Sequence, residues 1–189
     1  MLWRNLRDGT FHNVSQDVGL NAQELKSSSS VALGDVNKDG FVDFYFGFGE
    51  WAGYFALSDG KGHFQLKRGP GELIVEPLSE SAKNNDASQL VDYDNDGLLD
   101  LVTLVTTSKG GDVHMELRIW RNTGESWVDV SDKATRGLRA EVGHIGGPLS
   151  GKRRLAAYDI DGDGYTDIIF GVPGGGLRVA HNNGGNRNQ

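Results

Sequence analysis

Three nine-residue stretches of this chain place oxygen-bearing side chains at their first, third, fifth and ninth positions. They are Asp35, Asn37, Asp39 and Asp43; Asp92, Asp94, Asp96 and Asp100; and Asp159, Asp161, Asp163 and Asp167. The sixth position is glycine each time (Gly40, Gly97, Gly164), the residue that tolerates the positive φ needed where a loop folds back on itself. So many carboxylates in so short a span repel one another unless a hard cation lies among them. Calcium takes about six to eight oxygens at roughly 2.3–2.6 Å in flexible geometry, which makes it the natural occupant, one ion per loop. The backbone carbonyls of Phe41, Leu98 and Tyr165, at the seventh position, would add a further ligand to each site. One such loop alone could be an ordinary Asp/Gly turn. Repetition in register three times argues against that reading.

The elements around the loops exclude two familiar calcium motifs. An EF-hand carries a bidentate Glu at position twelve and a helix on each side. Here position twelve is Phe46, Thr103 or Phe170, and the following segments FVDFYFG, LLDLVTLV and YTDIIFG are rich in β-branched and aromatic residues, which favour strands. Each loop therefore reads as a β-hairpin connection, with its ninth-position Asp inside the strand that follows. Tandem nonapeptide arrays repeat at short period, whereas these copies start 57 residues apart (Asp35 to Asp92) and then 67 (Asp92 to Asp159). Charge count tunes affinity in such loops, and with Asn37 in third place the loop at Asp35 is expected to be the weakest.

Composition fits a glycine-rich, all-β protein with one good core: 189 residues, 37% hydrophobic, 28 Gly. The net charge of −7 is concentrated, because eleven of the 26 acids lie in the three loops, and three divalent ions would neutralise most of it. An acidic face for a basic partner is thus not needed, and no basic patch with interleaved aromatics suggests nucleic acid. No apolar run reaches the ~18 residues that span a bilayer. The start, MLWRNLRDGT, lacks the apolar core of a signal peptide. Zero Cys leaves the redox compartment unread.

A second repeat alternates with the first. The phrase LWRNLRDGTFHNVS near the start returns as IWRNTGESWVDVS, with Trp120 for Trp3, Asn122 for Asn5 and Trp127 for Phe11. Looser copies are YFALSDGKGHFQL (54–66) and LRVAHNNGG (177–185). Each phrase reads as a hairpin. The strands before the acidic loops, SSSVALGD, ASQLVD and RRLAAYD, are built of small residues, suited to crowding near an axis. One unit is then four antiparallel strands, and stacked units of that kind are propeller blades. In FVDFYFG, alternation sets Asp43 and Tyr45 on one face. Residues 69–90 read as a long connection with a strand at Leu73–Val75, while 139–153 is glycine-rich and the least readable stretch. The propeller region is expected over 1–183, with 184–189 a disordered tail.

On these residues the chain resembles the FG-GAP/VCBS repeat family, calcium-binding propeller repeats related to the integrin α-subunit head, and more narrowly bacterial VCBS and cartilage-acidic-protein-type repeats. The resemblance implies calcium between the first two strands of each blade, and an extracellular, cell-surface or periplasmic location. About four to eight blades close a propeller; three acidic loops imply a partial or open one, completed by further blades or by self-association.

The function this implies is a non-enzymatic scaffold for a protein or glycan partner, as in adhesion, with calcium clipping strands together. The alternative is an extracellular hydrolase, carbohydrate-active or other, built on a propeller. Its candidate groups are His63, His114, His144 or His181 with Glu50, Glu116 or Glu141. None of these falls in a recognisable catalytic motif, and a pocket collecting His and acid away from the loops would favour them. The aromatics Trp51, Tyr54 and Phe55 could stack on a sugar, although packing between blades is the favoured reading. Asn13-Val14-Ser15 is a glycosylation sequon that carries weight only in a eukaryotic secreted chain.

Overall fold

The small-residue strand preceding each acidic loop and the apolar strand following it pair antiparallel in all three repeats, so every loop closes a hairpin. The computed structural model describes residues 1–20, 28–48, 53–71, 81–109, 112–135, 139–144, 154–172 and 176–184. The strands are β1 (Trp3–Asn5), β2 (Phe11–Asn13), β3 (Ser28–Gly34), β4 (Asp43–Phe48), β5 (Tyr54–Ser58), β6 (Phe64–Arg68), β7 (Ser81–Val91), β8 (Asp100–Lys109), β9 (Asp112–Asn122), β10 (Trp127–Asp129), β11 (Arg139–His144), β12 (Leu155–Tyr158), β13 (Asp167–Val172) and β14 (Gly176–Ala180); one short helix, α1, spans Ser131–Thr135.

They form four antiparallel sheets: β1-β2, β3-β4-β5-β6, β10-β9-β8-β7 with β11 added against β9, and β12-β13-β14. This is an all-β stack of three blades preceded by a hairpin, open among the described residues. Each ninth-position Asp is the first residue of its strand.

The middle blade shows why the units stack. Its strands carry apolar residues on both faces, as a blade flanked on two sides requires. Leu90, Leu101, Trp120 and Trp127 pack against Ala32, Tyr45 and Phe55 of the first blade. On the opposite face Val102, Leu104, Leu117 and Ile119 pack against Leu155, Ile168 and Phe170 of the third. The register supports this alternation: Leu101 pairs with Trp120 on one face, Val102 with Ile119 on the other. The first-strand residues are small because neighbouring blades crowd there. Ser30 Oγ lies 2.8 Å from Ser88 Oγ, and a Cβ on Gly34 would come within 2.5 Å of Leu99. Phe55 stacks on Trp127 with centroids 5.1 Å apart, so it is a packing residue between blades. Trp51 lies outside the described residues.

The two hairpin phrases fold alike down to single bonds. Val14 N donates to Leu2 O, as Val130 N does to Ile119 O. Leu2 N donates to Ser15 Oγ and Ile119 N to Ser131 Oγ; Asn13 and Asp129 each accept from the serine two residues on. After the first hairpin the chain turns onto the first blade, where Val14, Val18 and Leu20 bury themselves beside Phe44 and Phe64.

Two expectations are corrected, and one unread stretch gains an element. The connection 69–90 ends earlier than its composition suggests, because Ser81–Val91 pairs along the whole length of the β-branched β8. The stretch 139–153, left without an element by its sequence, contributes β11, whose Arg139–His144 pairs with β9. The phrase after Trp127 winds into α1, with Ala134 N bonded to Val130 O. The strand expected at Leu73–Val75 and the tail beyond Gly184 lie outside the described residues.

Candidate functional site

Each acidic loop is shaped by its own carboxylates. At the middle loop, Asp92 accepts Asp96 N at Oδ1 and Gly97 N at Oδ2, while Leu98 N donates to Asp96 Oδ1. The first loop repeats this with Asp35, Asp39, Gly40 and Phe41; the third keeps the Gly164 and Tyr165 bonds, but there Gly162 N takes the place of the position-five N–H on Asp159 Oδ1. The sixth-position glycines adopt nearly one φ (Gly40 87°, Gly97 85°, Gly164 87°), a conformation that costs other residues energy. In this way the backbone N–H groups occupy position one and one oxygen each of positions three and five, and leave the second oxygen of positions three and five to other partners. Single oxygens of Asp92, Asp94 and Asp96 lie within 4.8 Å of one another, as do those of Asp159, Asp161 and Asp163, close enough to share a metal ion. In the first loop Asn37 Nδ2 donates to Asp39 Oδ2 at 2.9 Å, so there an amide occupies an oxygen that is otherwise open.

The ninth-position aspartates also tie the fold together. Asp43, Asp100 and Asp167 are 0%, 0% and 1% exposed. One oxygen of each accepts the N–H of the loop's second residue (Val36, Tyr93, Ile160) at 3.0, 3.0 and 3.1 Å. The other accepts an N–H at the end of the third strand or just past it (Ser58, Asn122, Asn182) at 2.8 Å. These buried carboxylates tie the loop to the third strand of its own blade, and two hydrogen bonds each compensate their burial.

Asn122 and Asn182 then join one loop to the next. Asn122 Nδ2 donates to Val36 O in the first loop and to Leu99 O in its own. Asn182 Nδ2 donates to Tyr93 O in the middle loop and to Thr166 O in its own. Asn95 Nδ2 adds a bond to Gly164 O. The three loops therefore form one connected row. The signal for the two asparagines is present in the sequence as the repeated N-x-G phrase; their role is not, because their partners belong to another blade.

One residue earlier, at Leu57, Arg121 and His181, the blades differ. The Arg121 Nε lies 2.7 Å from Asp94 Oδ2 as an ion pair without a well-aimed hydrogen bond, and its Nη2 donates to Asp96 Oδ2 at 3.1 Å. In the third loop His181 Nδ1 is 3.0 Å from Asp167 Oδ1 and its Nε2 3.6 Å from Asp161 Oδ2, and these three groups also converge closely enough to hold an ion.

Electrostatics follow from these neighbours. Burial pushes Asp100 up to about 7, with the N–H groups of Asn122 and Tyr93 pulling less strongly the other way. Burial also raises Asp43 and Asp94 and moves the Tyr93 hydroxyl up to about 12. At Asp167 burial pulls upward too, but bonds from Asn182, Ile160 and His181 outweigh it and the carboxyl ends below its usual value. His181 is raised, chiefly by its bond to Asp167.

The residues considered for hydrolysis are spread over the fold, with one His–Glu pair brought opposite each other. His63 is exposed beside Asp59, and His181 belongs to the third loop. The register sets Glu141 opposite His114 and Asp112 opposite His144 in the β9–β11 pair. Glu50 lies outside the described residues. A groove of about 630 Å3 along the middle blade is lined by Glu116, Arg118, Arg121, Asp129 and Lys133, with no histidine among its lining residues; Arg118 is already paired with Glu116 and Asp129. No helix among the described residues is long and apolar enough to cross a membrane.

Comparison with known families agrees with this architecture. The profile of the FG-GAP-like repeat matches residues 35–103 and again 92–170, each match running from one acidic loop into the strand after the next. The chain belongs to the FG-GAP-like repeat family. That repeat is a structural and binding unit rather than a catalytic one. Among curated proteins no match was found.

Proposed function

We propose that the chain is a calcium-stabilised, non-enzymatic binding scaffold that acts outside the cytoplasm, presenting its blades to a protein or glycan partner. The observation that carries the reading is the convergence of Asp92, Asp94 and Asp96 oxygens, and of Asp159, Asp161 and Asp163, in loops whose backbone is already folded around them. An all-oxygen, carboxylate-rich donor set suits calcium better than a soft transition metal. The side chains of Asp35, Asn37 and Asp39 would hold the ion of the first loop, with the Phe41, Leu98 and Tyr165 carbonyls assisting at the three sites. The ions are structural on this reading. Bound to the folded state alone, each stabilises it by mass action, about 4 kcal/mol at a thousandfold excess over Kd. Partner binding then falls to the surfaces the loops hold rigid.

Metal analysis of the purified protein with calcium present is expected to give about three ions per chain, and a chelator should remove them and lower Tm markedly. Magnesium should restore little of that stability, since it demands a rigid octahedron and keeps its waters. Protein that holds no calcium, or melts unchanged in excess chelator, would overturn the proposal.

A further inference from the structure

The middle and third loops carry the same four carboxylates, yet one of them contains its own cation. The backbone uses Oδ1 of Asp94 and Oδ1 of Asp96 in the middle loop. Arg121 sits on the two oxygens left over, Asp94 Oδ2 and Asp96 Oδ2. Asp94 is buried, so its partner cannot be replaced by bulk water without rearrangement. Lys38 lends further positive charge nearby: a Cβ on Gly97 would lie 3.1 Å from its ammonium nitrogen. The equivalent of Arg121 in the first blade is Leu57, which reaches no loop oxygen through a charge. In the third it is His181, whose contact with Asp161 Oδ2 is long, at 3.6 Å.

We propose that Arg121 is a built-in counter-cation that holds the middle loop folded when calcium is absent and must leave Asp94 and Asp96 before an ion can use them. The inference rests on the calcium reading of the loops. A guanidinium keeps its charge at any physiological pH and forks naturally onto two carboxylates, so it competes with a metal under all ordinary conditions. The consequence is an order of filling: the loop at Asp159 takes calcium first, and the loop at Asp92 needs a higher concentration despite equal charge. The middle loop in turn tolerates calcium loss better, because its repulsion is already balanced. A single residue thereby separates a calcium-responsive part of the row from a part that stays folded without the ion.

The amide signals of Gly40, Gly97 and Gly164 report the three loops separately, since each N–H bonds to its own first-position Asp at 2.8–2.9 Å. Titrating calcium into chelator-stripped full-length protein, at about pH 8 to keep imidazole largely neutral, should move Gly164 at about tenfold lower calcium than Gly97, the cost of displacing one directed charge pair. Arg121→Gln should bring the Gly97 midpoint down to that of Gly164 and leave Gly164 unmoved. Leu57→Arg should shift the Gly40 midpoint upward in the same way, which tests the idea if Arg121→Gln folds poorly. Equal midpoints for Gly97 and Gly164 in the wild type, unchanged by Arg121→Gln, would overturn the role of Arg121 while leaving calcium binding intact. Three amides indifferent to calcium would overturn the calcium reading itself.

Discussion

The loop at Asp92 and the loop at Asp159 have the same residues at positions one, three, five, six and nine, and they share all but one of the N–H bonds that shape them. Their electrostatics nevertheless run in opposite directions. Asp100 and Asp167 both begin a strand, both accept two N–H bonds of almost equal length, and neither is open to water. Burial wins at Asp100 and loses at Asp167. The cause lies outside the nine residues. The middle loop has a blade on either side, whereas the last has one neighbour among the described residues and a histidine against its carboxylate. A motif fixes which groups meet; the stack around it decides what charge they hold.

The sharpest way to test that contrast is pH in calcium-free buffer. Asp100 is raised from the ordinary carboxylate value near 4 to about 7 when folded. A raised acid binds its proton more tightly in the native state, so its contribution is present below about pH 4 and is lost as pH rises through 7. Asp167 is depressed, so its contribution is present above its unfolded value and is lost only as acid is added. Stripped wild-type protein should therefore have a higher urea midpoint at about pH 5 than at 7.5, by roughly 2–4 kcal/mol from Asp100. Asp100→Asn should flatten that slope. Asp167→Asn should leave it in place and cost stability at neutral pH instead. If Asp100→Asn keeps the wild-type slope, burial is not what distinguishes the two loops.

The next largest difference concerns the asparagines that tie each loop to its predecessor. Asn122 is buried, and its loss strands Val36 O and Leu99 O away from water; Asn182 makes the same two kinds of bond at a half-exposed edge. Chemical denaturation should give about 2–3 kcal/mol for Asn122→Ala and about 1 kcal/mol for Asn182→Ala. Equal costs would mean that position in the stack carries no weight for these links.

The sequence made the loops and hairpins legible because their signals are local. Gly40, Gly97 and Gly164 mark a backbone conformation, and the Trp3/Trp120 phrase marks a hairpin whose bonds lie within about fifteen residues. Asn122 was visible as a repeated letter. Its meaning was not, since its carbonyl partner Val36 comes from another blade. The same holds for Arg121, a third-strand residue whose carboxylates lie more than twenty positions earlier, and for His181, whose place against Asp167 only the fold shows. The extra strand β11 escaped reading for a related reason: Arg139–His144 has a glycine-rich context, and only the length of β9 offers it an edge.

The smallest expected effect brings in the first loop. There the third position is Asn37, whose amide hydrogen-bonds Asp39, and the third-strand position holds Leu57 in place of Arg121 or His181. Asn37→Asp would give this loop the carboxylate count of the other two with no basic side chain at the third-strand position, so it separates charge number from the counter-charge placed there. The added carboxylate frees Asp39 Oδ2 and contributes an oxygen of its own, which should tighten calcium binding at Gly40 several-fold. The same change adds a fourth carboxylate to an empty loop that lacks the third-strand cation of the middle loop, so Tm in chelator should fall by a few degrees, corresponding to roughly 0.5–1 kcal/mol. The two shifts of opposite sign are the signature. A variant that gains stability in chelator as well as affinity would show that repulsion among these aspartates is already relieved by the backbone N–H groups alone, and that the cation at Arg121 is not needed to explain why the middle loop stays folded.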